Sequence, residues 1–350
     1  MNFFLPFAAL RVSARLGCAL LATALAARAA TAARPVDPAL PAYQPQPVTL
    51  PADAAYVLRD GSIRIGGAEH AQVMIDGFDA LFAQSHPGFK FTVQLKGTTT
   101  GLPLLTHGVT LCAPLGREVN NVELVPYSKI VGQAPVEIHV AHDSNVPGKF
   151  ATNLAIYVNR ANPLEQLTME QVARIFSRGH PAGEITVWSQ VGVKGDKGKL
   201  PVHPYATPEA SGFGDYMQKH VTDDRQLPLA ADQFGNTEEL IKRVAEDTTG
   251  VTLAAIGVTN PAVKLVALAT KPEGPFSSGS VDDIVAGRYP LGRHLYFYVR
   301  RVPGQPVDPV VKEYFRLILS REGQQIIAAE PDGYIPLTAA EAAAELAKLD

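Results

Sequence analysis

The sequence predicts an α/β protein with mixed sheets and helices on both faces. Three observations lead there. From Ile63 onward, short apolar strands alternate with amphipathic helical stretches, the order that covers a sheet on both sides. Hydroxyl-rich turns sit where strands run into helices, at KGTTTG and ATPEASGFGDY, and a third strand runs into paired glycines at SIRIGGAEH. The chain has 350 residues, 46% of them hydrophobic, enough to fill two medium cores.

The first 33 residues read as an export signal. Arg11 and Arg15 supply positive charge, Leu16–Ala27 a short apolar stretch, and Ala27–Ala33 small-residue cleavage sites. The apolar run is about a dozen residues, too short to span a bilayer of roughly 30 Å. The formal net charge is −3; removing residues 1–33 takes away three arginines and no acid, leaving −6. That balance excludes a basic nucleic-acid surface. Removal also leaves Cys112 as the one cysteine, so no internal disulfide is expected. Residues 34–57, with prolines at 35, 38, 41, 45, 47 and 51, read as an irregular linker or arm outside the core.

The elements then follow in order. SIRIGG is a strand. In AQVMIDGFDALFAQSH, apolar residues at Val73, Ile75, Phe78, Leu81 and Phe82 have helical spacing. FKFTVQL alternates as a strand, LPLLTH is a short helix, and VTLCAPL is a buried strand. VEIHVAHD reads as an alternating strand that puts His139 and Asp143 on one face and His142 on the other. Three metal ligands do not converge in that pattern, so no metal site is expected. LAIYVN is a strand. TMEQVARIF is a helix opened by a Thr168–Gln171 capping box. SGFGDYMQKHV and TEELIKRVAED are further helices, VTLAAIGV and KLVALA strands, YPLGRHLYFYVRR an aromatic strand, and residues 308–330 the longest helical stretch.

In sheets of this kind, ligands sit beyond the carboxyl ends of strands, where helix N-termini point their free N–H groups. The hydroxyl-rich turns sit at such junctions. Thr98, Thr99, Thr100 and Ser211 read either as plain helix caps or as anion contacts, with Gly212, Gly67, Ala68 and Arg117 as further candidates. Glu69 and His70 adjoin them. No G-x-S-x-G, H-E-x-x-H, Walker loop or C-x-x-C appears, so no catalytic residue and no cofactor is expected.

At this point the motif order resembles the periplasmic phosphate-binding proteins of ABC transporters, within the type II periplasmic binding superfamily. The resemblance covers about Ile63 to Leu337. It rests on LAIYVNRANPLEQLTMEQVARIF, ITVWSQVG, the ASGF segment, AAIGV, GRYPLGRHLYFYV and SREGQQIIAAEPDGYIPL in family order. It implies two lobes joined by a hinge: a first lobe from residues 58–153 and 263–350, and a second from 154–262. LAIYVN resembles the outward crossing, and the stretch around IGVTNPAVKL the return. It implies a monomer in the periplasm that captures inorganic phosphate or a related oxyanion and hands it to an ABC permease. Membrane association is then only through that partner. The sequence departs from the family where Ser-Gly-Thr becomes Ser211-Gly212-Phe213, where the arginine before it is missing at Tyr205-Ala206-Thr207, and where a carboxylate or serine becomes Gly116-Arg117. Asp215, in the first turn of the Ser211 helix, opposes a bound anion. These departures leave two other readings open: an envelope sensing or interaction protein on the same fold, and a phosphohydrolase.

Overall fold

Prolines keep the described residues of the 34–57 arm irregular without keeping them out of the core. The computed structural model describes residues 35–51, 53–146 and 152–350, so the expected export signal lies outside the described residues. Leu40 and Tyr56 are buried in the first hydrophobic core, and Val36, Tyr43, Val48 and Leu50 pack against it. The arm's backbone needs are met by distant side chains. Glu313 Oε1 accepts from the Tyr43 hydroxyl (2.7 Å) and the Gln46 N–H (2.9 Å), and Glu322 accepts from the Tyr43 N–H (2.6 Å). Tyr56 donates to Asp308 at 2.7 Å. A proline removes a donor and fixes φ, but it does not prevent its neighbours from burying apolar surface. The linker reading is therefore corrected: residues 35–57 strap the first lobe.

In the first lobe Ile63–Gly67 pairs in parallel with Phe91–Leu95. Leu111 N–H to Arg64 C=O and Ala68 N–H to Pro114 C=O join that ribbon to Ala113–Leu115. There the antiparallel set Ala113–Leu115, His294–Val299 and Val136–His142 continues. The strand His294–Val299 shows why helices are needed on both faces. Leu295, Phe297 and Val299 enter one core, under helices Gln72–Ser85 and Pro309–Ile318. Tyr296 and Tyr298 enter another, under helices Thr98–Thr106 and Asn121–Val131. Each buried aromatic removes enough apolar area to stabilise the fold by about 1.5–3 kcal/mol.

Two expectations for this lobe change. The long helical stretch 308–330 is two helices, Pro309–Ile318 and Arg321–Ala329. Ser320 breaks it by capping the second, its Oγ accepting from the Gly323 N–H at 3.2 Å. The strand Val136–His142 does not alternate to its end. Its register against His294–Val299 slips, with Leu295 opposite Ala141 and Tyr296 opposite His139. Val140 is the extra residue of a β-bulge, so Val140 and Ala141 both enter the first core. His142 returns to the face of His139.

The second lobe has a five-stranded mixed sheet in the order Val263–Leu265, Leu154–Asn159, Gly250–Ala255, His203–Ala206, Asp232–Gln233. Its core includes Tyr157, Phe176, Trp188, Leu240 and Leu253. The Thr168 capping box forms, with Gln171 N–H to Thr168 Oγ1 at 3.2 Å and Thr168 N–H to Gln171 Oε1 at 2.9 Å. This core continues through Val263, Leu268, Ile284, Tyr289 and Leu291, so the return crossing lies at 292–294 and not near 262. The outward crossing lies before LAIYVN, which is a central strand of the second sheet. The crossing segments are knitted by Asn153. Its Oδ1 accepts from the Arg293 N–H (2.6 Å) and its Nδ2 donates to the Asp143 carbonyl (2.7 Å). Among the described residues, no helix is long and apolar enough to cross a membrane.

Candidate functional site

Gly97 is the corner that turns one strand into a helix aimed at the other lobe. Its φ of +107° is open to glycine and strained for other residues. The helix behind it starts at Thr98, so the three threonines are its first turn and not a separate loop. First-turn N–H groups have no intrahelical partner and project from the helix end. In the second lobe Ser211 caps the helix Gly212–Met217, its Oγ accepting from the Gly214 N–H at 3.0 Å. Gly97 and Thr98 from one lobe, and Gly212 and Phe213 from the other, line a single cavity of about 360 Å³. Glu69, His70, Gly116, Arg117 and Arg293 complete its wall.

The candidates from the sequence divide on this geometry. Thr98, Gly212 and Arg117 line the cavity. Thr98 Oγ1 also lies 3.5 Å from the Gly116 N–H. Thr100 does not line it, because its hydroxyl turns back to the Gly97 carbonyl at 2.8 Å. Thr99 is exposed. Ser211 spends its hydroxyl on the cap. Gly67 and Ala68 are structural. A Cβ on Gly67 would stand 2.3 Å from the Pro114 carbonyl oxygen, and Ala68 is fully buried with its N–H on that same oxygen. Asp215, expected to repel an anion, pairs with Lys219 at 3.0 Å.

Charge in the wall is mostly committed already. Arg117 forks onto Glu123, with NH1 and NH2 at 2.8 and 2.9 Å from its two oxygens. Burial alone would lower its affinity for a proton, but Glu123 outweighs that and holds it raised. Arg293 was not singled out from the sequence. It is buried, donates from NH1 to the Thr152 carbonyl (2.8 Å) and from NH2 to the Gly116 carbonyl (3.0 Å), and faces Asp143 at 3.2 Å. Its guanidinium also lies 5.5 Å from the Phe213 ring centre and 5.4 Å from that of Tyr216, which ties the crossing segment to the second lobe. Its Nε is buried with no hydrogen-bond partner. The same holds for His70 Nε2, and burial pushes that imidazole below its ordinary range, so the ring is neutral. The one sequence signal for Arg293 was its place between Gly292 and an aromatic strand.

The lobes also touch beside the cavity. Lys219 donates to the Val119 carbonyl at 2.9 Å, and His220 Nε2 lies 2.8 Å from Glu118 Oε1. Burial would raise the Glu118 carboxyl, but His220 and Lys219 hold it below its usual range.

Comparison with known proteins agrees with this architecture. Residues 58–322 match the family model described as the PBP superfamily domain. A curated relative, "Phosphate-binding protein PstS" of Pseudomonas aeruginosa, is 31% identical over 329 residues, covering 93% of this chain and 95% of the relative. "Protein SphX" of Synechococcus elongatus is 26% identical over 84% of each chain. Among solved structures, an ABC-type phosphate transport receptor from Vibrio cholerae has a TM-score of 0.53 at 23% identity, covering 78% of this chain and 99% of that one. PstS from Borrelia burgdorferi has a TM-score of 0.54 at 16% identity, over 79% and 98%. With two α/β lobes around one cavity and a family model spanning most of its length, this chain belongs to the PBP superfamily.

Proposed function

We propose that this protein is an exported solute-binding protein that captures phosphate between its lobes and passes it to an ABC-type importer. It does not turn its ligand over. The observation that carries this reading is one cavity walled by the helix starts of both lobes, at Thr98 and Gly212, with Arg117 and Arg293 beside them. An oxyanion there accepts from the helix-end N–H groups of Thr98 and Gly212 and sits near two guanidinium charges. The name carried by the Pseudomonas relative supports phosphate as that anion. Because a guest reaches donors on both lobes only when they are together, it favours the joined arrangement.

Glu69 sets the selectivity. Its Oε2 lies 3.8 Å from where a Cβ on Gly97 would stand, so the carboxylate faces the same turn. Phosphate at neutral pH has a proton to donate there, and sulfate has none. Sulfate would meet that carboxylate with no proton to share, and the like-charge mismatch discriminates between the two. Thr98, Gly212 and the Gly116–Arg117 backbone orient the guest, while Thr99, Thr100 and Ser211 shape the turns that present it. The protein works as a monomer in the periplasm.

The test is calorimetry on phosphate-stripped protein. One site per chain is expected, with phosphate bound much more tightly than sulfate and no hydrolysis of a phosphate ester. Glu69→Gln should narrow the phosphate–sulfate gap by about two- to fivefold. Absence of binding by either anion would favour an envelope sensing or interaction role, and ester turnover would favour a hydrolase.

A further inference from the structure

A group of side chains remote from that function gathers where the bulge returned His142 to the face of His139. His142 ends one strand, His294 begins the neighbouring strand, and Glu341 stands in the first turn of the helix Ala339–Ala347. One ligand atom from each lies within 4.8 Å of the others. The His142 and His294 rings are 4.6 Å apart between centres. The buried His142 Nε2 is 3.2 Å from Glu341 Oε1. An imidazole nitrogen and a carboxylate oxygen this close, with a second imidazole beside them, have the spacing that a shared cation bridges. We propose that His142, His294 and Glu341 form a binding site for a divalent transition-metal ion, Zn²⁺ in class, that fastens the C-terminal helix to the first-lobe sheet.

The donor chemistry fits. Two imidazoles and a carboxylate are a zinc set, with a fourth position left for water. Tetrahedral zinc with bonds of about 2.0–2.2 Å puts its ligand atoms roughly 3.3–3.5 Å apart. The His142–Glu341 pair is already at that spacing, and a small side-chain rotation closes the remaining gap. The outer contacts of such a site are also in place. Glu341 Oε2 accepts from both the N–H and the hydroxyl of Thr338, each at 2.8 Å, which leaves Oε1 for the ion. His139 stacks on His294 at 4.2 Å and is itself held by Glu137 (3.0 Å) and Glu345 (3.5 Å). The Glu341 side chain is a third exposed, which leaves an entry path. His142 precedes Asp143 and His294 follows Arg293, so the ion would also steady the crossing segments.

The test uses the purified protein, stripped with chelator and kept free of phosphate buffer, titrated with zinc chloride. One zinc per chain and a rise in the unfolding midpoint with zinc are expected. His294→Ala and Glu341→Gln should each weaken zinc binding by about 100-fold and abolish the midpoint shift. His107→Ala, at an exposed histidine elsewhere, should change neither. Should His294→Ala fail to fold, Glu341→Gln decides, because its amide oxygen still serves Thr338. Zinc binding that is absent in the parent protein, or unchanged in Glu341→Gln, overturns the proposal.

Discussion

Arg117 and Arg293 face one cavity, and they differ in what holds them. Arg117 follows a glycine turn after a strand and is a candidate anion contact from the sequence. It is instead forked onto Glu123 and donates to the Glu118 carbonyl, so its charge and three of its five N–H donors are used within its own lobe. Arg293 comes from the crossing segment and is only 2% exposed. Carbonyl oxygens hold its two terminal nitrogens, and its Nε is left over. Its counter-ion Asp143 makes no hydrogen bond with either oxygen, and burial lifts that carboxyl to about 6 despite Arg293 and His142. The lesson is that proximity to a binding loop does not make an arginine available. What matters is how many of its five donors the protein has already used.

The largest expected consequence is on stability. Arg293→Met leaves Asp143 buried without its ion partner and should cost about 3–5 kcal/mol in denaturant unfolding. Asp143→Asn added to that variant should recover part of the loss. Arg117→Met should cost less, about 1.5–3 kcal/mol, since it removes hydrogen bonds to a charged group in a better-exposed pair. A larger loss at Arg117 would invert the comparison. Next comes the shape of the wall between them. A Cβ on Gly116 would meet the His70 ring at 2.4 Å, so Gly116→Ala should displace His70. It should cost about 1–3 kcal/mol of stability and weaken phosphate binding in calorimetry.

Threonines sharpen the same point at smaller scale. Thr98→Val should weaken phosphate binding by about tenfold, by removing a hydroxyl from the cavity wall. Thr100→Val should leave affinity nearly unchanged and lower stability by about 1 kcal/mol, by removing the bond to Gly97. Equal effects on affinity would mean that the threonine turn acts as a unit. The smallest effect belongs to the contact between lobes. Glu118→Gln should weaken affinity about two- to fivefold. The Glu118 carboxyl is held below its ordinary value of about 4.3, so its contribution is complete above that pH. It fades as pH falls through the depressed value, and affinity measured across that range should fall in the parent more than in Glu118→Gln.

Much of the architecture was readable because it rests on local rules. The Thr168 capping box, the alternation of Leu295 to Val299 and the strand-to-helix turns at Gly97 and Ser211 each follow from a few neighbouring residues. The misreadings share a cause, which is long-range context. Nothing near Val140 announces a bulge, because the slip is defined only against the partner strand, and it reverses the face of His142. The proline-rich arm looked like a linker because its partners, Glu313 and Glu322, lie some 270 to 280 residues away. The return crossing was placed about thirty residues early, because Val263–Leu265 pairs back onto the second-lobe strand Leu154–Asn159. Arg293 was passed over for the same reason: its partners Gly116, Thr152 and Asp143 are remote in sequence. The turn-like composition at Gly67 and Ala68 does not show that the sheet uses their backbone.

The comparison of the two arginines is tested most directly by lysine substitutions, which keep the positive charge and remove the fork of donors. Phosphate is titrated into stripped Arg293→Lys and stripped Arg117→Lys under the same conditions. Arg293→Lys should bind phosphate at least about tenfold more weakly than the parent, through loss of a hydrogen bond from a charged donor, while Arg117→Lys stays within about twofold. Parent-like binding by Arg293→Lys together with a collapse in Arg117→Lys would contradict the account.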